Sequence, residues 1–467
     1  MILKLLTNEY RLLTQNRVLM WLSLTILILW GIALAISLNE YHQEKQIRQF
    51  YKSQQRQIWV QQTPKNPHMA AHYGTFVFKP ANPLSLFDKG ISTFSGTFIY
   101  LEAHRQNDFV GSPAQNSSSY IRMGEFNISF LLQFAIPLLI VAVAAGLFSR
   151  EKEDGLYSFM TANSVSGSTL FRAKVIALMS VIVGLCLLIF GGTVAVSAFS
   201  GIAWTIPQLT SVLALFVGYM LFYWCITSLT LLVSLRSSGF KTAFLLSCFA
   251  WIALFFLLPR LVANLSERLY KLPSTVDFRD QVRAQIINGI DGHSMGKREE
   301  MVIDSLLKKY HVDSTSQLPV NSDGVLLMKS EAYSSAVYDK EFDALKATIS
   351  KQQNLISAFG LINPFMSIRN ISFAACGNSL ADEFDFRQKA EVYRNYYVQE
   401  LNENMILYSK ESEFKTYKVG SEVFGKINDF AYKPLTTLDD LKSCWPDLFV
   451  LVALIVLIQF YIIKTVR

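Results

Sequence analysis

Six long apolar runs constrain this sequence more than any other feature. They cover residues 18–38, 128–148, 175–198, 209–235, 242–258 and 446–463, and the charge-free part of the last begins at Leu448. A helix needs about 20 mostly apolar residues to cross the roughly 30 Å hydrocarbon core. Helices are one of only two backbone forms that satisfy their own polar groups there. Only 17% of the chain is charged, against about 25% in soluble domains, and the mean hydropathy is +0.28. The sequence therefore specifies an α-helical polytopic membrane protein. The absence of buried charge from the spans argues against a proton relay or ion path inside them.

Short connections set the expected orientation. Residues 1–17 carry Lys4, Arg11 and Arg17, and the loop 149–174 carries Arg150, Lys152, Arg172 and Lys174. Arg236 and Lys241 flank the fourth turn, and Lys464 and Arg467 close the chain. The opposite short loop, 199–208, has no basic residue. The positive-inside rule then places both termini in the cytoplasm of a bacterial inner membrane, with the first run as an uncleaved signal anchor. These four pieces hold eleven basic against four acidic residues, which is the whole formal charge of +7. The charge thus marks a rim facing anionic lipid and gives no sign of a nucleic-acid partner.

Two long segments, 39–127 and 261–444, emerge on the other face and together exceed half the chain. They are expected to fold as one mainly α extracytoplasmic domain built from two insertions. Residues 40–60 contain no Gly or Pro and continue the first span outward. Pro64, Pro67, Gly74, Pro80, Pro83, Gly90, Gly96, Gly111 and Pro113 then punctuate loops and short strands, with a serine run at 117–119. Ser274 and Asp277 form a capping start, and 325–359 and 379–407 read as long helices. Residues 362–375, opened by Asn363-Pro364, are apolar but too short to span; they lie in the membrane surface or pack as core.

Little in the sequence suggests catalysis. There is no Walker loop, dinucleotide fingerprint or nucleophile elbow. His68 and His72 have the i,i+4 spacing of metal ligands, but no HExxH glutamate accompanies them. Pro67 and Gly74 limit any helix there, so both read as surface histidines and no metal site is assigned. Cys376 and Cys444 lie outside the spans, where a disulfide is chemically possible. No enzyme is expected.

The loop 149–174 is the most informative segment. A charged turn through Glu151, Lys152 and Gly155 leads to an amphipathic stretch with Leu156, Tyr157 and Phe159, then to a polar bend and a basic re-entry at Lys174. This is a solvated hairpin or a docking element for a cytoplasmic partner. Ile2, Leu5, Leu6, Leu12 and Leu13 at helical spacing give residues 1–17 the character of an interfacial helix.

Together these features resemble the ABC type-2 transporter permeases. That family typically has Phe-x-x-Glu-Arg/Lys-x-x-Gly-Thr after its second span, and here Phe148, Glu151, Lys152, Gly155 and Lys174 match. Leu156 stands where Thr is usual, and Ser164 near the usual Pro. A subgroup with a large outer domain of unassigned function is closer. Its marks are Asn82-Pro83-Leu84-Ser85, Gly96-Thr97, the run 100–106, Asn363-Pro364, Ser372, Gly377, Asp382, Phe386, Glu391 and Arg394.

The resemblance implies a permease dimer, with a second copy or a paralogue, carrying two cytoplasmic ATP-binding subunits. This chain then holds no cofactor, and ATP and Mg²⁺ belong to the partner. Glu151, Lys152, Gly155, Leu156, Tyr157, Phe159 and Lys174 become the coupling residues. Asn127, Gln133 and Ser197 are polar spots that border a substrate path or merely bond neighbouring helices. An ATP-driven exporter is the leading expectation. The alternatives are a mechanical transmitter acting on an extracytoplasmic partner without transport, and a membrane-anchored scaffold.

Overall fold

The chain begins with a short amphipathic helix, α1 (Ile2–Thr14), and turns at Asn16, whose side chain caps the next helix by accepting from Leu19 N. That helix, α2 (Arg17–Val60), is one uninterrupted rod of 44 residues. At 1.5 Å per residue it is about 66 Å long, twice a bilayer core. Its second half is the expected outward continuation of the first span. The computed structural model describes residues 2–110 and 126–465. Gly111, Pro113, the serine run at 117–119 and Arg467 fall outside the described residues.

After α2 come the seven-residue α3 (Pro67–Tyr73) and a small antiparallel sheet. Strand β1 (Thr75–Phe78) pairs with β2 (Phe98–Leu101), Phe76 opposite Tyr100, and β2 pairs with β3 (Phe109–Val110). Four membrane-length helices follow with one short helix among them: α4 (Ile128–Glu153), α5 (Leu156–Ala162), α6 (Gly167–Phe199), α7 (Ile206–Arg236) and α8 (Phe240–Leu269). Then come α9 (Thr275–Asn288), α10 (Met295–Tyr310), α11 (Ser322–Ala358), α12 (Pro364–Ala375), α13 (Leu380–Tyr408) and α14 (Thr437–Thr465). Among the described residues six helices are long and apolar enough to cross a membrane: α2, α4, α6, α7, α8 and α14.

The helix starts follow from local chemistry. Ser274 with Asp277, Thr205 with Gln208, and Ser379 with Asp382 each make a reciprocal capping box. Two of the membrane-length helices contain a π turn, Leu131–Ala135 in α4 and Ala253–Leu257 in α8. A π turn frees a backbone carbonyl that something else must satisfy. The Tyr223 hydroxyl donates to Leu132 O at 2.7 Å, and Asn363 Nδ2 donates to Leu254 O at 2.7 Å. Both irregular turns are thereby tied to neighbouring helices.

Residues 362–375 resolve to core. In α12, Phe365, Ile368, Ile371, Ala374 and Ala375 are buried in the same apolar cluster as α4, α6 and α7. The helix is thus wedged on top of the bundle. Above it sits a polar head whose own core draws on both insertions: Trp59, Ala70, Val77, Ile99 and Leu101 pack with Phe386, Tyr397, Leu401 and Phe424. A Lys79–Glu383 ion pair at 2.7 Å joins them as well. No disulfide joins any of the five cysteines, Cys376 and Cys444 included.

Candidate functional site

The hairpin between α4 and α6 is built from two tight reversals around one short helix. Helix α4 runs on to Glu153, so Arg150–Glu153 form its last turn and lie within the helix, ahead of the loop. Asp154 N then donates to Arg150 O, and Gly155 turns the chain with φ +73°. No atom lies within 4 Å of where a Gly155 Cβ would be, so the left-handed backbone alone calls for glycine here. Helix α5 ends at Asn163 and Ser164, the latter at φ +63°, and Val165 N reaches back to Met160 O. Ser166 caps α6 by accepting from Thr169 N.

Lys174 sits differently from its expected place in the loop. Helix α6 starts at Gly167, two turns earlier than the apolar run, and carries Lys174 into the protein. Its side chain is 0% exposed, and Nζ donates to Glu9 Oε1 of α1 at 2.7 Å and to Glu151 Oε1 at 2.6 Å. Nζ also lies 5.2 Å from the Phe148 ring centre. A charge this far from water requires such pairing, because desolvating one ion costs several kcal/mol. The triad therefore fastens α1, α4 and α6 together.

The neighbours of Glu151 fasten the other side. Lys152 Nζ donates to the carbonyls of Leu235 and Ser237, capping the end of α7. Glu153 Oε1 accepts from Phe240 N at 3.0 Å, capping the start of α8, while Arg150 lies 4.1 Å from the Phe240 ring centre. Further up, Ser234 of α7 accepts from Ser149 N at 3.0 Å and donates to Ala145 O at 2.7 Å. One turn of α4 is thus bonded to α6, α7 and α8, and through Lys174 it is linked to α1.

The aromatic residues of α5 divide their roles. Tyr157 turns inward and packs edge-on against Phe148 at 5.9 Å, and burial raises its phenol above the ordinary value. Leu156 and Phe159 turn outward, 43% and 67% exposed. They stand three positions apart on one helical face, so a small apolar ridge projects from an otherwise polar hairpin.

The three polar spots expected along a path do not meet. Asn127 caps α4 by accepting from Phe130 N. Ser197 accepts from Trp204 Nε1 at 2.9 Å at the far end of α6. Gln133 lies in the α4 π turn and donates to Asp88 Oδ2 at 3.1 Å and to the Tyr219 hydroxyl oxygen at 3.2 Å. Ser372 of α12 donates to the same Asp88 carboxylate, and Gly90 N donates to its other oxygen at 2.9 Å. Asp88, Gln133, Tyr219 and Ser372 are all buried, so this is a packed polar knot between bundle and head. Burial pushes the Asp88 carboxyl above its usual range, and the Ser372 hydrogen bond works against that.

Two of the residues above carry weight that sequence reasoning missed. Glu9 is the lone acid on α1, and Asp88 ends the apolar run Leu84–Phe87; an isolated carboxylate in such company was the available signal. The reading of His68 as a surface residue needs correction. Asn66 caps α3 and Pro67 occupies its first turn, so Pro67 helps the helix start where it was expected to limit it. His68 is 3% exposed.

Residues 94–257, which span β2, α4, the hairpin, α6, α7 and most of the apolar part of α8, match the family described as ABC-2 family transporter protein. Residues 276–433, from α9 through α13, match a domain of unknown function (DUF3526). No curated protein and no solved structure matches the chain significantly.

Proposed function

We propose that the chain is an ABC-2 type permease, a membrane subunit with an additional head domain, and that it couples ATP hydrolysis by a separate cytoplasmic subunit to movement of its bundle and head. The hairpin is the coupling element. Leu156 and Phe159 form the contact ridge, and Gly155 sets its angle. Tyr157, Glu151, Lys152 and Lys174 are positioning residues that pass displacement of α5 to the bundle.

The observation that carries this reading is the bonding of one turn of α4 to three other helices, and through Lys174 to α1, directly behind an exposed apolar ridge. A loop that served only solubility has no need of a fully buried lysine between two carboxylates. Nucleotide-driven closure of the partner would push α5 and rock the bonded helices as a body, the rigid-element type of switch. The complex is an exporter with two permease copies and two ATP-binding subunits, set in a bacterial inner membrane with both termini in the cytoplasm.

The test is co-purification. Phe159→Glu is expected to release the ATP-binding subunit and abolish its permease-stimulated ATPase activity. Unfolding of the permease itself should shift by less than about 0.5 kcal/mol, as at other exposed positions. Retention of the subunit by this variant would remove the hairpin from the mechanism.

A second reading, mechanical transmission without transport, draws on α2. That single rod enters the head core through Trp59, whose Nε1 donates to Phe424 O at 3.1 Å. A continuous polar cavity in the assembled dimer would favour transport, and a sealed apolar interface would favour transmission.

A further inference from the structure

Among the described residues, a cluster of metal-ligating side chains lies in the head, far from the hairpin. His68 and His72 stand on successive turns of α3, and His104 comes from the turn after β2. Their ring centres form a near-equilateral triangle with sides of 4.8, 5.0 and 4.9 Å. His68 Nε2 is 3.1 Å from His72 Nε2 and 3.2 Å from His104 Nε2.

Hydrogen bonding alone does not explain this arrangement. An imidazole nitrogen has one in-plane position, holding either a proton or a lone pair. His68 Nε2 makes two close contacts there, so a hydrogen bond satisfies one and leaves the other unpaired. The rear nitrogens make the conflict sharper. His104 Nδ1 sits against the Glu331 carboxylate, which only accepts, so the neutral ring carries its proton at Nδ1 and presents a bare Nε2. His68 Nδ1 faces Asn402 Oδ1 at 3.1 Å, which has the same effect. With both rings neutral, two lone pairs point at each other across 3.2 Å. A cation between them removes the repulsion.

We propose that His68, His72 and His104 bind one divalent transition-metal cation of the zinc class through their Nε2 atoms, with a further coordination position open to solvent. A tetrahedral ion with bonds of about 2.0–2.1 Å spaces its ligand nitrogens by roughly 3.3 Å, close to the two separations observed. Three imidazoles without a thiolate or carboxylate suit Zn²⁺ and its neighbours, and they exclude Ca²⁺ and Mg²⁺, which take oxygen ligands.

The surroundings have the form of a supported metal site. Metal-bound histidines usually give their second nitrogen to a carboxylate or carbonyl, which fixes the ring. Glu331 does more: it also accepts from His104 N at 2.8 and 3.0 Å, holding that residue at φ +61°, a conformation histidine rarely adopts. Arg394 steadies Glu331 from behind at 3.3 Å. Burial, ahead of the neighbouring rings, pushes His68 down to about 4 and also lowers His72. His72 and His104 line a cleft of about 800 Å³ walled by Phe278, Arg283, Tyr338 and Phe342. His68 closes the rear of the site, and the open position faces this cleft.

All three ligands belong to the first insertion, whereas Glu331 and Asn402 belong to α11 and α13 of the second. Metal binding would therefore stiffen the joint between the two halves of the head.

The experiment titrates the full-length protein, stripped with chelator and held in detergent micelles or nanodiscs, with Zn²⁺ alone. One ion per chain is expected, with an X-ray absorption signature of three imidazole nitrogens at about 2.0–2.1 Å. His72→Ala removes a ring at the solvent edge and leaves the core intact; it should weaken binding on the order of 100-fold or more, beyond the 10–100-fold typical of outer-shell changes. Unfolding of that variant without zinc should match the parent, and His293→Ala, on a distant surface, should bind as the parent does. Glu331→Gln should weaken binding about 10- to 100-fold. Absence of stoichiometric Zn²⁺, or parental affinity in both His72→Ala and His104→Ala, would overturn the proposal.

Discussion

Replacing Lys174 by Met probes the joint behind the hairpin. The Nζ group holds two carboxylates at 2.7 and 2.6 Å, and the lysine side chain has no exposure to water. At an effective dielectric near 20 each attraction is worth about 6 kcal/mol before desolvation. Methionine keeps the length of the side chain but leaves Glu9 and Glu151 buried without a cation. Breaking a buried pair by removing one partner costs about 3–5 kcal/mol, which is two to three and a half orders of magnitude in the folded ratio. Glu9 Oε2 and Glu151 Oε2 have no hydrogen-bond partner, so the triad is only partly satisfied. The triple variant Glu9→Gln, Glu151→Gln, Lys174→Met should accordingly recover to within about 1–2 kcal/mol of the parent, because neutral replacement of a buried ion cluster is often tolerated. Equilibrium unfolding in mixed micelles, followed by tryptophan fluorescence, measures both. A single variant within 1 kcal/mol of the parent would refute the triad as a joint. A triple variant as unstable as the single one would show that packing, and not charge, holds the helices.

Other outcomes follow from the same geometry. Gly155→Ala meets no neighbour, so its cost should be the left-handed backbone alone, about 1–2 kcal/mol, with Gly155→Asn milder; chemical unfolding checks the order. Gly90→Ala should be worse, since φ is +51° there and a Cβ would lie 2.3 Å from Asn378 O, dislodging the loop that presents Asp88. Asp440, ahead of the membrane-spanning stretch Lys442–Lys464, is pushed up to about 8 by burial and by Asp382 beside it. The folded chain therefore holds a proton that the unfolded chain releases near pH 4. Its stabilising contribution is complete below that pH and is lost as pH rises towards 8. Thermal unfolding between pH 5 and 9 should show this decline, and Asp440→Asn should flatten it.

Much of the architecture was legible because it is written locally. Charge-free runs mark membrane helices, and Ser274 with Asp277 announces α9. Ser379 with Asp382 does the same for α13. Residues 325–359, without Gly or Pro, are helical in α11 as far as Ala358, with Phe359 opening a short 3₁₀ turn. Apolar runs set only minimum lengths: α2 outlasts its run by 22 residues and α6 begins eight before, because capping residues and not hydropathy end a helix.

What stayed illegible is carried by contacts between distant residues. Lys174 and Glu9 are 165 positions apart, and nothing in either neighbourhood announces the other. His104 stands 36 residues from His68 and joins it only because the sheet folds back over α3. Residues 362–375 gave two readings from composition alone, and packing against α7 and α14 selects the core. Gln133 looked like a lone polar residue in a span; Asp88, Tyr219 and Ser372, brought in from three other elements, make it part of a knot.

The most direct measurement concerns the hairpin itself. A photo-crosslinking amino acid at Phe159, activated in intact cells, should capture a nucleotide-hydrolysing protein, while the same group at Val392, exposed on the head, should not. A cysteine at position 159 should also stay closed to a membrane-impermeant thiol reagent applied from outside. Capture of no such protein at Phe159, or labelling from outside, would contradict the coupling role.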